Sequence, residues 1–152
     1  MRASKQQPDY VAIARFRTAL RVFENAAEDA ARDADLTPQR YVLLLMVKGA
    51  PDGDERATIN DLAGRLHVEP HTITGAVGRA ERAGLVVREA CDQDRRRTWI
   101  RLTREGERRL GRVVAALETQ RDELLDAIEN VAAGARAIPE TPKAVRRDGR
   151  RG

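Results

Sequence analysis

Thr58-Ile59-Asn60-Asp61-Leu62-Ala63-Gly64-Arg65-Leu66, then His67-Val68-Glu69, then Pro70-His71-Thr72-Ile73-Thr74-Gly75-Ala76-Val77-Gly78-Arg79-Ala80-Glu81-Arg82-Ala83-Gly84 decides the fold. Ile59, Leu62, Ala63 and Leu66 recur at helical spacing, which makes the first part a short helix with one inward face. Pro70 fits the first position of a second helix, Ile73, Ala76, Val77 and Ala80 share its buried face, and Gly84 suits its end. Two short helices joined by a few residues form a helix-turn-helix. The second helix turns His71, Thr72, Thr74, Gly75, Gly78, Arg79 and Arg82 away from its apolar face.

Downstream, residues 85–88 allow only a brief strand, and Thr98-Trp99-Ile100-Arg101-Leu102 alternates as a strand does. Between them runs Cys91-Asp92-Gln93-Asp94-Arg95-Arg96-Arg97, so the helix-turn-helix is followed by a hairpin with a charged tip, a wing. From Thr103, a good N-cap, one long helix is expected to about Gly134, with an apolar stripe through Leu110, Val113, Val114, Leu117, Leu124, Leu125, Ile128 and Val131. Thirty helical residues span roughly 45 Å, longer than a small domain is wide, so this stripe needs a surface beyond its own domain. Upstream, Ile13, Phe16, Leu20, Phe23, Ala27 and Ala30 form a narrow stripe on a helix over 9–33, the pattern of a helix lying against a partner helix. Thr37 and Pro38 open a second helix that continues through the apolar run 41–47, and residues 49–56 read as an exposed loop. The expected fold is mainly α with a small β-hairpin wing. Its parts are an N-terminal helix over 9–34, a winged helix-turn-helix over 36–102, a C-terminal helix over 103–134 and a basic, disordered tail over 135–152.

The composition excludes several classes. The chain has 152 residues, one domain's worth, with 41% hydrophobic and 34% charged residues. The run 41–47 is the longest apolar one, far short of the ~20 residues of a membrane span. The polar N-terminal stretch marks no export, and the single cysteine, Cys91, forms no internal disulfide, so a cytoplasmic protein is expected. The net charge of +4 lies in the tail: of 28 basic and 24 acidic residues, residues 136–152 hold six and two, leaving 22 of each before them. DNA binding by the folded part must therefore rest on where its charges sit. No glycine-rich phosphate loop, nucleophile elbow or third histidine points to an enzyme, a cofactor or a metal. His67 and His71 have metal-pair spacing, but Pro70 starts a new helix between them.

Several separate words, Leu36-Thr37-Pro38-Gln39-Arg40-Tyr41, Ile59-Asn60-Asp61-Leu62-Ala63, Thr72-Ile73-Thr74-Gly75-Ala76-Val77, Ala83-Gly84-Leu85-Val86, Asp94-Arg95-Arg96 and Leu102-Thr103-Arg104-Glu105-Gly106, stand in one order over about residues 10–130. In that order they resemble MarR-family regulators, dimeric winged helix-turn-helix transcription factors. The resemblance implies a homodimer on double-stranded DNA at a palindromic operator, acting as a repressor that a small aromatic or amphipathic effector relieves. DNA contact is expected from His71, Thr72, Thr74 and Arg79 in the major groove and from Arg95, Arg96 and Arg97 in the wing. Arg95 matches the family's minor-groove arginine, and Arg96 the residue that pairs with Asp94 to hold the wing's shape. Phe16, Leu20, Phe23, Leu117, Leu124 and Ile128 are expected at the dimer interface. The family's second C-terminal dimerisation helix reads here as shortened or replaced by the tail.

Tyr10, Arg15, Phe16, Tyr41 and His71 are candidates for an effector pocket, although a buried aromatic is more often core. Cys91, near arginines, reads either as an incidental small residue or as a redox-sensitive thiol. The alternative to a regulator is a winged-helix module that binds another protein and binds DNA weakly or without sequence preference. Two glycines in the recognition helix favour that alternative, and the triple arginine of the wing argues against it.

Overall fold

The computed structural model describes residues 8–136. The tail expected over 135–152 lies outside them, apart from two residues at the end of the last helix. The elements are α1 (Tyr10–Asp33), α2 (Pro38–Lys48), β1 (Arg56–Ala57), α3 (Ile59–Leu66), α4 (Pro70–Arg82), β2 (Val86–Ala90), β3 (Thr98–Leu102), α5 (Arg104–Ala116) and α6 (Glu118–Arg136).

Side chains that answer free backbone groups start these helices. Asp9, Thr37, Thr58 and Thr103 accept from the N–H groups of Ala12, Arg40, Asp61 and Gly106. Asp61 returns the contact to the Thr58 N–H at 2.9 Å, completing a capping box at α3. That backbone hydrogen bond lowers the Asp61 pKa, with help from the Thr58 hydroxyl. Glu69 caps α4 without a side-chain hydrogen bond. At their other ends α1, α3 and α4 close alike, on a residue of positive φ: Asp35, His67 and Gly84. Leu36, Val68 and Leu85 then donate back to the carbonyls of Ala31, Ala63 and Ala80. Only one of the three carries the glycine that sequence reading looks for.

The hairpin gains a third strand. β1 pairs antiparallel with β3, Ala57 opposite Ile100, giving the order β1-β3-β2, and β2 pairs with β3 from Val86↔Leu102 to Ala90↔Thr98. The loop expected over 49–56 thus ends in a strand, and Arg56 lies 4.3 Å over the Trp99 ring. The core lies between α2, α3, α4, the sheet and α5, where Leu44, Leu62, Leu85 and Ile100 are fully buried. No polar or charged residue among the described ones is buried.

The single long C-terminal helix is corrected. It breaks at Leu117 (φ −98°, ψ 6°), and the second C-terminal helix, which sequence reading takes as shortened or replaced, is α6. Neither Gly nor Pro marks the break. The Arg121 guanidinium donates to the Val114 carbonyl at 2.8 Å, in the manner of a side chain inserted into the helical ladder. The break leaves Leu117 fully buried in the protomer's own core, so its expected place at a dimer interface is also corrected. α6 runs along α1, and Phe16, Leu20 and Phe23 of the α1 stripe are half-buried, with Phe23 packed against the core.

Arginines of α5 close the end of α1. Arg109 donates to the Asp35 carbonyl at 2.9 Å, and Arg112 to that of Asp33 at 2.8 Å. Glu105 holds Arg109 at 2.6 Å and Arg108 at 2.7 and 2.9 Å. Hydrogen bonds from Arg108, then Arg109, pull the Glu105 carboxyl from 4.5 down to about 2. Between those values the unfolded chain binds a proton that the native chain does not, so stability rises with pH there. The contribution is complete above the unfolded value and is lost as pH falls toward 2. Glu105→Gln is expected to flatten the dependence of Tm on pH across that acid window, read by thermal melts at stepped pH; an unchanged slope would exclude Glu105 as a source.

Candidate nucleic-acid interface

Burial divides α4 cleanly. Ile73, Val77 and Ala80 are buried, whereas His71, Thr72, Thr74, Gly75, Arg79 and Arg82 are exposed. The Thr74 hydroxyl donates to the Pro70 carbonyl at 3.1 Å, an internal bond that takes up its proton. Arg79 also lines a hollow of about 220 Å³ with Thr37, Arg40 and Leu43, so the capped start of α2 lies beside the recognition helix. No local pattern in the sequence places Arg40 at this face.

The wing is set by Asp94. Its carboxylate accepts from the Arg96 backbone N–H at 3.0 Å, and its carbonyl from the Arg97 N–H at 2.9 Å. The expected Asp94–Arg96 contact therefore runs through the backbone; no ion pair joins their side chains, because the turn itself uses the carboxylate. Among the described residues no carboxylate lies within ion-pair distance of Arg95, Arg96 or Arg97, and all three are exposed. The neighbouring Arg88 and Arg101 differ: Glu81 holds the first at 3.1 Å and Glu89 the second at 2.8 Å. The wing's positive field thus comes from its tip. Arg88, Arg96 and Arg97 share a hollow of about 280 Å³ with Thr58, Asn60 and Asp61, which brings the start of α3 to the wing.

The backbone N–H groups of Asp94, then Gln93, lower the Cys91 pKa, with a smaller pull from Trp99. The turn, and not the neighbouring arginines, is the source of that shift.

The other candidate residues lie elsewhere. Tyr10 and Arg15 line an open hollow of about 600 Å³ on α1, with Val11, Ala14, Thr18 and Val22. Tyr41 is buried in the core, where desolvation raises its pKa, and His71 is on α4, so neither reaches that hollow. Leu124 is half-buried and Ile128 is 43% exposed on α6, beside Leu125 at 50%. Among the described residues no three His, Cys, Asp or Glu side chains gather as a metal set, and no helix is long and apolar enough to cross a membrane.

A winged helix-turn-helix flanked by α1, α5 and α6 has known counterparts. The MarR family model matches residues 34–97, which run from the end of α1 to the wing tip. Over these residues the chain is similar to the MarR family. It is 36% identical over 100 residues to the HTH-type transcriptional regulator FarR of Neisseria gonorrhoeae, a match covering 64% of this chain and 62% of that protein, less than two thirds of the relative's length. Among solved structures, RV1404 from Mycobacterium tuberculosis superposes with a TM-score of 0.69 at 19% identity, covering 91% of this chain and all of that one. A mutant MepR of S. aureus bound to an oligodeoxyribonucleotide gives 0.61 at 22% identity, covering 80% and 88%. A mutant MarR from E. coli complexed with operator DNA gives 0.62 at 17% identity, covering 81% and 90%. At these identities the structures speak for the MarR fold.

Proposed function

We propose that this MarR-like chain is a sequence-specific, double-stranded-DNA-binding transcriptional regulator of the cytoplasm. It works as a homodimer at a palindromic operator and is a repressor relieved by a small molecule. The observation that carries the reading is the pairing of an exposed polar face on α4 with a wing tip whose three arginines lack carboxylate partners among the described residues. An α-helix fits the major groove, and a narrow minor groove attracts an inserted arginine. The DNA-bound MepR and MarR structures have the same fold, which adds support by likeness.

Exposed apolar residues support the dimer. Tyr10, Val11 and Val22 on α1 and Leu125 and Ile128 on α6 are 43–66% exposed, a set that a second copy would cover. Covering it would fix two recognition helices about one helical turn of DNA apart. It would also roof the hollow at Tyr10 and Arg15, giving a small aromatic or amphipathic effector a place to alter that spacing. A coupling of about 1–3 kcal/mol is enough for such an effect.

Footprinting on operator DNA tests the reading. Two protected patches one helical turn apart are expected, and a single patch or none counts against a dimeric regulator. Leu125→Asp with Ile128→Asp is expected to shift sedimentation to a monomer with unchanged helix content. A dimer surviving both changes would exclude this face.

A further inference from the structure

Resting on the DNA-binding reading, we propose that Arg79 and Arg82 are the residues by which α4 reads sequence, each laid along the helix over a position left bare. At 100° per residue, His71, Gly75, Gly78 and Arg82 fall within about 60° of one another at the centre of the outward face. Ile73, Val77 and Ala80 lie opposite them, in the core. The ridge that would meet the floor of a major groove therefore has no side chain at its two middle positions. The guanidiniums of the next turn occupy that space. A methyl at Gly75 would stand 3.3 Å from Arg79 Nη1, and one at Gly78 3.7 Å from Arg82 Nη1.

Chemistry favours these two arginines over the other exposed groups of α4. Neither has a carboxylate partner among the described residues, in contrast to Arg88 and Arg101. The Thr74 hydroxyl already donates its hydrogen bond to the Pro70 carbonyl. Arginine presents a planar fork that matches the O6 and N7 acceptors of guanine, the commonest specific contact in the major groove. Each glycine in a helix interior costs about 1 kcal/mol relative to alanine. Two of them on one exposed face, where alanine would fit the fold, point to a requirement outside the fold. A bare ridge lets the backbone approach the base edges, so a guanidinium lying flat against the helix reaches guanine.

The test compares variants of the full chain on the duplex that the parent selects from random DNA and on random duplex, at near-physiological salt. Gly75→Ala/Gly78→Ala is expected to lose tenfold or more of its preference for the selected duplex. Its binding to random duplex should stay within about twofold, because phosphate contacts carry that binding. Its Tm should rise by roughly 4–8 °C from the added helix propensity. Arg79→Lys is expected to lose guanine preference at one position in each half-site while keeping its charge. A double variant with raised Tm and unchanged preference would overturn the inference, as would unchanged base preference in Arg79→Lys. Those outcomes leave a sequence-selecting parent and hence the regulator reading intact; a parent that selects no sequence removes both.

Discussion

Gly106→Ala is expected to lower Tm by roughly 6–12 °C, the shift of a destabilisation near 3 kcal/mol in a chain of this length. A Cβ at this position would lie 2.1 Å from the Leu85 carbonyl oxygen and 3.1 Å from its carbon. Both are backbone atoms and cannot rotate aside. The approach is close because Thr103 joins two elements. Its hydroxyl accepts from the Gly106 N–H at 3.0 Å and donates to the Gly84 carbonyl at 2.6 Å, and its own N–H donates to Leu85 at 3.0 Å. The first turn of α5 is thereby held against the end of α4 and the start of the sheet. Gly111→Ala, in the same helix with open space around it, is the control and is expected to raise Tm by a few degrees. Equal Tm for Gly106→Ala and the parent would mean that α5 can move off the junction freely.

Arg95→Ala is expected to weaken DNA binding by about ten- to a hundredfold and to lower the slope of log affinity against log salt by about 2, one contact from each copy. The residue is exposed and without a carboxylate partner among the described residues, so helix content and Tm should be unchanged. Arg101→Ala separates position from charge. It removes the same charge from the sheet next to the tip, but Glu89 neutralises that arginine, and only a small change is expected. Equal losses from the two variants would make the effect one of net charge, and no loss from Arg95→Ala would remove the wing tip from the interface.

The legible parts of the fold are those whose signals are local. Thr37, Pro38, Thr103, Pro70 and Gly84 mark helix ends because caps, a fixed φ and a positive φ depend on one residue and its immediate neighbours. The two-residue strand β1 is too short to show alternation and exists only through its pairing with β3. The break at Leu117 depends on an arginine four residues later, and the ends at Asp35 and His67 lack a glycine. A stripe at helical spacing says that a face is buried, not against what. Leu117 lies in the protomer's own core, and Phe23, Ala27 and Ala30 of the α1 stripe pack against that same core. At the candidate interface the sequence marks the cations, but their partners come from the fold: Glu81 and Glu89 pair with Arg88 and Arg101, and no described carboxylate lies within ion-pair distance of the tip arginines.

Selection of the full chain against a random duplex library at near-physiological salt tests the DNA-reading claim most directly. The basic tail acts alike on every library member, so it cannot by itself produce enrichment. An enriched, imperfect palindrome with half-sites one helical turn apart is expected, bound about a thousandfold or more tighter than random duplex. A library that emerges without a motif, bound evenly and weakly, would contradict it and turn attention to a protein partner for the same winged helix.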